Sequence, residues 1–285
     1  MGDVPDETSS AFRGWTRPGP VPPGAATPPV VEDGETLDFI SGHFRLFQLR
    51  DGHRFSTDDV LTAWYGTSWC PSARTILDLG SGIGSVATIA AWRLTGARLV
   101  TVEAQEQSVQ LARRSMRFNG LDNRSDVRLG DFRDAGVFSS GERFDLVLGS
   151  PPYFPLGSGV EGDHPQKVAC RFELRGDVGD YCRVAAERLA PGGFFACVFP
   201  LPDGQRSRMI DAVRAAGLSL VRERPVVFRE GAAPLVGLFG MMRAEDLPAT
   251  FSTQTWTEPP LVIRTTDGQI HPEYSAVKLG FGFPP

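Results

Sequence analysis

"RTILDLGSGIGSVATIAAWRL", Arg74 to Leu94, decides the fold. "RTILDL" is apolar and short enough for a buried strand, and "SVATIAAWRL" carries the apolar stripe of a helix. Between them, "DLGSGIG" (Asp78–Gly84) places glycines at 80, 82 and 84. Without Cβ atoms, they let the backbone turn tightly and come close to a ligand. The spacing is G-x-G-x-G and no lysine follows, so it fits neither the dinucleotide fingerprint nor a P-loop. A ligand without a pyrophosphate is expected.

The same alternation continues downstream. "ARLVTVE" reads as a strand and "EQSVQLARRSMRFNG" as a helix closed by Asn119-Gly120. "DVRLGD" and "RFDLVLGS" are two further strands. "DVGDYCRVAAERLAPGG" reads as a helix with a Pro-Gly-Gly stop, leading into the strand "FFACVFP". A helix over Gln205–Ala216 and strands around Leu218–Val227 and Pro234–Met242 follow. The pattern predicts an α/β fold: a Rossmann-like, doubly wound, mostly parallel seven-stranded sheet with helices on both faces. Ligands of such sheets bind beyond the carboxyl ends of the strands.

Upstream, "RPGPVPPGAATPPV" (Arg17–Val30) has little to bury, and residues 1–35 are expected to be a disordered, Pro-rich acidic tail. Residues 36–285 form the domain, with 36–73 as its N-terminal segment. Six acids against Arg13 and Arg17 put most of the net charge of −5 in the tail. The remainder is near neutral, so an RNA contact needs a local basic patch. "HFRLFQLRDGHRF" (His43–Phe55) offers Arg45, Arg50 and Arg54 between aromatic residues, and also reads as an amphipathic hairpin. The four cysteines lack ligand spacing, so neither a metal site nor a disulfide frame is expected. No apolar run is long enough to span a membrane, and the acids near the start argue against a transit peptide. The expected location is cytoplasmic. Nothing in the chain indicates its oligomeric state.

Two acids stand at successive strand ends. Glu103 closes "VTVE", where a carboxylate can accept hydrogen bonds from both hydroxyls of a ribose. Asp131 follows "DVRLG", where it can meet an adenine amino group with Phe132 against the ring. Taken with the glycine turn, the region from Ile76 to Met242 resembles the class I S-adenosylmethionine-dependent methyltransferases. The resemblance implies S-adenosylmethionine as cofactor. Asp78 and the loop of Gly80, Ser81, Gly82 and Gly84 would hold its methionine part, Glu103 its ribose, and Asp131 with Phe132 its adenine.

"SPPY" (Ser150–Tyr153) ends the fourth strand. An amine conjugated to a ring is a poor nucleophile until acceptors draw its hydrogens toward the pyramidal form. Ser150 Oγ and the Pro151 carbonyl can be such acceptors, Pro152 stiffens the shelf, and Tyr153 can stack on the target ring. The motif resembles the (N/D/S)PP(Y/F/W) signature of methyltransferases acting on exocyclic or amide nitrogen. Three further stretches narrow the resemblance to the bacterial tRNA(Val) adenine-N6 methyltransferase family: "FRLFQLRDGHRFSTDDVLTAW", "KVACRFELRGDVGDY" and "LVIRTTDGQIHPEYSAVKLGF". It implies methylation of adenine N6 in tRNA. Lys167 and Arg171 join the three arginines as candidate backbone contacts, and Arg171 reads equally as a surface ion pair with Glu173. The family carries asparagine where this chain has Ser150, and serine is more usual in cytosine-N4 enzymes, so the base stays open. Protein glutamine N5 methylation and a non-catalytic cofactor-binding module are the remaining alternatives.

Overall fold

The computed structural model describes residues 11–12, 14–19, 21, 29–154, 164, 166, 168 and 172–284. Much of the expected tail, together with Lys167, Cys170 and Arg171, lies outside them.

A hairpin of β1 (Glu35–Ser41) and β2 (Phe44–Leu49) precedes α1 (Thr57–Trp69). The alternating series follows: β3 (Thr75–Leu79), α2 (Ser85–Arg93), β4 (Arg98–Glu103), α3 (Glu106–Phe118), β5 (Ser125–Leu129) and β6 (Phe144–Gly149). After the shelf come α4 (Val178–Arg188), β7 (Leu189–Pro200), α5 (Gln205–Ala215), β8 (Leu218–Val227) and β9 (Val236–Arg243). Seven strands lie in the order β5-β4-β3-β6-β7-β9-β8, and β9 runs antiparallel to both of its neighbours. Two short strands that the sequence reading did not anticipate, β10 (Trp256–Thr257) and β11 (Leu261–Val262), pair with β8 and bring the sheet to nine. A last helix, α6 (Pro272–Leu279), closes the described chain. None of the described helices is long and apolar enough to cross a membrane.

Helices cover both faces because successive side chains of each strand point to opposite sides. Leu146 and Leu148 belong to the core that α1, α2 and α3 share, whereas Val147 belongs to the core shared by α4 and α5. In β7, Phe194, Ala196 and Val198 face the first core, while Phe195, Cys197 and Phe199 face the second. Strands buried on both faces read as continuous apolar runs, which is why the central strands stood out in the sequence.

Glu35, the last residue of the expected tail, already belongs to the hairpin. Glu35 opens β1, is 5% exposed, and accepts from Arg114 at 2.6 Å. Farther back, the Arg17 guanidinium lies 3.5 Å from the centroid of the Phe39 ring, and Gly19 lies against Trp92. These aromatic faces on the hairpin and α2 give parts of the lead something to cover. The "LAPGG" stretch also differs: it is the start of β7 rather than a loop after the helix, with Gly192 at φ +71.

One buried ion pair ties the sheet edge to α1. Arg222 on β8 and Glu258 are paired at 5% and 10% side-chain exposure, with Arg222 Nε also donating to the Tyr65 hydroxyl at 2.9 Å. The ring of Trp69 lies 3.4 Å from the guanidinium. Removing one partner of a buried pair leaves an uncompensated charge, so Glu258→Ala should cost about 3–5 kcal/mol of stability. Urea unfolding reads this directly; a loss below about 1 kcal/mol would mean that the pair is solvated.

Candidate active site

The site is the crevice beyond the carboxyl ends of β3, β4, β5 and β6. It is a cavity of about 470 Å³ whose walls include Asp78, Gly80–Ile83, Glu103, Asp131, Phe132 and Ser150–Phe154. The strand-end residues singled out in the sequence thus meet around one space, because parallel strands deliver their ends to the same rim. Arg45, Arg50 and Arg54 are not in that lining; His53 and Ser56 of the same segment are.

The glycine turn has the conformation its composition implies. Gly80, Gly82 and Gly84 have φ of +60, +53 and +81, a region that other L-residues rarely adopt. A Cβ on Gly80 would fall 2.1 Å from the Tyr181 hydroxyl, whereas one on Gly82 would meet nothing within 4 Å. Gly80 therefore serves packing, and Gly82 leaves room for a ligand. Ser81 is 6% exposed and lines the cavity, and its Oγ has no hydrogen-bond partner. A buried hydroxyl left unpaired is costly, and a ligand with a polar group would relieve it.

Glu103 is held rigidly. One carboxylate oxygen accepts from the Gly82 N–H at 2.9 Å and the other from the Gln105 N–H at 2.7 Å. Each oxygen keeps a further lone pair, and the residue is only 7% exposed. Asp78 sits deeper: Oδ2 accepts from the Ala87 N–H at 3.1 Å, so it fastens the first turn of α2 as well as lining the cavity. Burial, with Asp59 and Glu103 nearby, holds its carboxyl well above the usual carboxylate range. Asp131 differs in being paired. Arg133 grips it through Nε at 3.0 Å and Nη2 at 2.6 Å, and this keeps its acidity high. Phe132 is buried edge-on against Tyr181, with ring centroids 4.6 Å apart.

On the other side of the cavity, Ser150, Pro151, Pro152 and Tyr153 continue β6. The Tyr153 hydroxyl donates to Asp58 Oδ2 at 2.6 Å, its carbonyl accepts from Gln205 Nε2 at 3.0 Å, and its ring meets Phe199 edge-on. Beyond it, Phe154 bridges to Phe172.

Among the lining residues that the sequence reading did not single out are two acids, Asp58 and Asp59, in the first turn of α1. "STDD" carries the signature of a helix start, with Ser56 as N-cap and an acid three residues later. Asp59 does accept from the Ser56 N–H at 2.7 Å. Nothing local reveals that α1 starts at the cavity wall.

The arginines of the hairpin segment have separate fates. Arg54 donates to Asp38 Oδ2 at 2.8 Å, and Arg45 lies over the Phe39 ring at 4.3 Å. Arg50 is exposed at the end of β2.

Comparison with known proteins places this geometry in a class. The methyltransferase small domain family matches residues 66–167. A solved structure of a predicted O-methyltransferase from Agrobacterium tumefaciens superposes with a TM-score of 0.60 at 19% identity, covering 80% of this chain and 98% of that one. At that identity the likeness speaks for the fold alone. The chain is a methyltransferase. Among curated proteins, the tRNA1(Val) (adenine(37)-N6)-methyltransferase of Tolumonas auensis is 28% identical over 242 residues, spanning 84% of this chain and 94% of the relative. The protein of the same name from Phocaeicola vulgatus is 30% identical over 197 residues, or 69% and 80% of the two chains. This chain belongs to that family.

Asp59 provides a test of the site's electrostatics. Burial, reinforced by Asp58, pushes its carboxyl up to about 7. Between roughly pH 4 and 7 the folded chain keeps a proton that the unfolded chain has released, so this residue's contribution to stability falls as pH rises. Asp59→Asn removes the cost of burying a charge. It should stabilise the protein by about 2 kcal/mol or more at pH 8 and by little at pH 4. Thermal or urea unfolding at the two pH values measures this; equal stability of both proteins at pH 8 would contradict the assignment.

Proposed function

We propose that the cavity binds S-adenosylmethionine and that the shelf presents an exocyclic amine of an RNA base to it. The observation that carries this reading is the convergence of three features on one crevice: the clamped Glu103, the unpartnered Ser81 Oγ and the rigid Ser150–Tyr153 turn. The donor set suits a nucleoside with a charged amino-acid arm. Glu103 has lone pairs for two ribose hydroxyls, Ser81 and the loop amides face the arm, and Phe132 offers an aromatic wall for a base. Asp131 would reach an amino group only by sharing itself with Arg133. When bound, S-adenosylmethionine supplies an electrophilic methyl group. The chain's own task is then to orient the acceptor.

Ser150 Oγ and the Pro151 carbonyl accept from the amine hydrogens, which favours the form with its lone pair directed away from the ring. Tyr153 sets the plane of the ring and hence the line of approach. Removing the bound amine's proton needs no dedicated base, since the methylated cation is acidic enough to lose it to water or to the same acceptors.

The relatives' names support adenine in tRNA as the acceptor. Ser150 is the one feature that favours cytosine N4 as a second reading. In either case a stacked base must leave its stack to reach the crevice, which suits a splayed loop. Arg50 is exposed, and Arg175 lines the cavity; both are suited to phosphate contacts. Arg54 carries its own counterion, and Arg45 is committed to Phe39.

Calorimetry and single-turnover methylation test the two halves of this reading. Glu103→Ala should weaken S-adenosylmethionine binding by about 30- to 150-fold, the equivalent of two charge-assisted contacts. Ser150→Ala should slow transfer by about 10- to 100-fold with cofactor affinity retained, and Tyr153→Ala should slow it further. Ser150→Asn should retain or raise activity on adenine and lower it on cytosine. Undiminished cofactor binding by Glu103→Ala would remove the ribose assignment. Full activity of both Ser150→Ala and Tyr153→Ala would reduce the shelf to a turn.

A further inference from the structure

Tyr153 is held at both ends, and the two holds come from distant parts of the chain. Its carbonyl is fixed by Gln205, at the start of α5. Its hydroxyl is fixed by Asp58, 95 residues earlier, in the first turn of α1. A carboxylate is favoured at that place, because the first turn of a helix presents unpaired N–H groups and the positive end of its dipole. Burial pushes the Asp58 carboxyl up, and it keeps the Tyr153 phenol protonated well past its usual range. In the hydrogen bond between them the phenol is the donor and Asp58 the acceptor. An aromatic ring pinned only at its backbone can still swing about its first side-chain bond; tying its far end removes that freedom.

We infer that Asp58 is a positioning residue: by accepting the Tyr153 hydroxyl it locks the ring in one orientation, so that the wall for the acceptor base is set before RNA arrives. This rests on the reading that Tyr153 meets the acceptor ring. Asp58 takes no part in proton transfer. Its effect on methylation passes through Tyr153, and the entropy of fixing the ring is lost on folding rather than on binding.

The interaction makes a closed double-mutant cycle. Asp58→Ala and Tyr153→Phe each break the same bond from opposite sides. Each should lower the single-turnover rate on RNA by about 5- to 20-fold, since small misplacements of a reacting group are costly. The double variant should be no slower than the slower single one, because the bond can be lost only once. Asp58→Asn keeps an acceptor oxygen and should remain within about 3-fold of the unmodified protein. S-adenosylmethionine affinity by calorimetry should stay within about 2-fold throughout, because the assigned holds on the cofactor are at other strand ends.

Multiplying losses in the double variant would overturn the inference, as would wild-type rates in both single variants. A cofactor affinity that falls with Asp58→Ala in step with the rate would do so too, placing Asp58 against the cofactor. If Asp58→Ala does not fold, Tyr153→Phe reads the same bond alone, and a wild-type rate there is decisive against it. Tyr153→Ala separates the two levels. Full activity in that variant removes the shelf reading itself, whereas a slow Tyr153→Ala beside a normal Tyr153→Phe overturns only the role of Asp58.

Discussion

At β3 the sheet reverses its direction of growth. From this strand the chain runs outward through β4 to β5, then returns to lay β6 on the other side of β3. The connections leaving β3 and β6 therefore diverge, and a crevice opens between them that no side chain of a strand interior can fill. Everything chemical in the molecule depends on that opening. The glycine turn leaves β3 on one side and the Ser-Pro-Pro-Tyr turn leaves β6 on the other, while Glu103 and Asp131 arrive at the ends of β4 and β5.

The two sides of the crevice are built on different physical terms. The side formed by the glycine turn and Glu103 consists of backbone amides, one clamped carboxylate and a hydroxyl without a partner, a surface that gains by meeting a polar ligand. The side formed by the shelf consists of prolines and a pinned aromatic ring, a surface that gains by staying still. Between them stand Asp58, Asp59 and Asp78, whose carboxyls are all raised by burial. Burying these acid groups costs the fold stability at neutral pH.

The order of strands and helices was readable because parallel strands covered on both faces leave long apolar runs, and because the turns between them are marked by glycine and proline. The strand-end acids were readable for the same reason: a charged residue closing an apolar run has to lie at a rim. What escaped was whatever depends on a distant partner. "STDD" looks like an ordinary capped helix, and only the packing of α1 beside β6 brings Asp58 to Tyr153. The arginines between His43 and Phe55 looked like a basic patch, yet Asp38 and Phe39 on the opposite strand of the hairpin take two of them. The edge strands β10 and β11 span two residues each, too short for any alternation to register.

The central claim is that this crevice carries out amine methylation of a nucleobase in RNA. The most direct measurement is to incubate the purified chain with transfer RNA lacking the modification and methyl-deuterated S-adenosylmethionine, then to identify the labelled nucleoside by mass spectrometry. The account predicts labelled N6-methyladenosine at a single position. Label on cytosine N4 would keep the mechanism and change the base. Label on ribose, on a ring nitrogen, or on no nucleoside at all would contradict it.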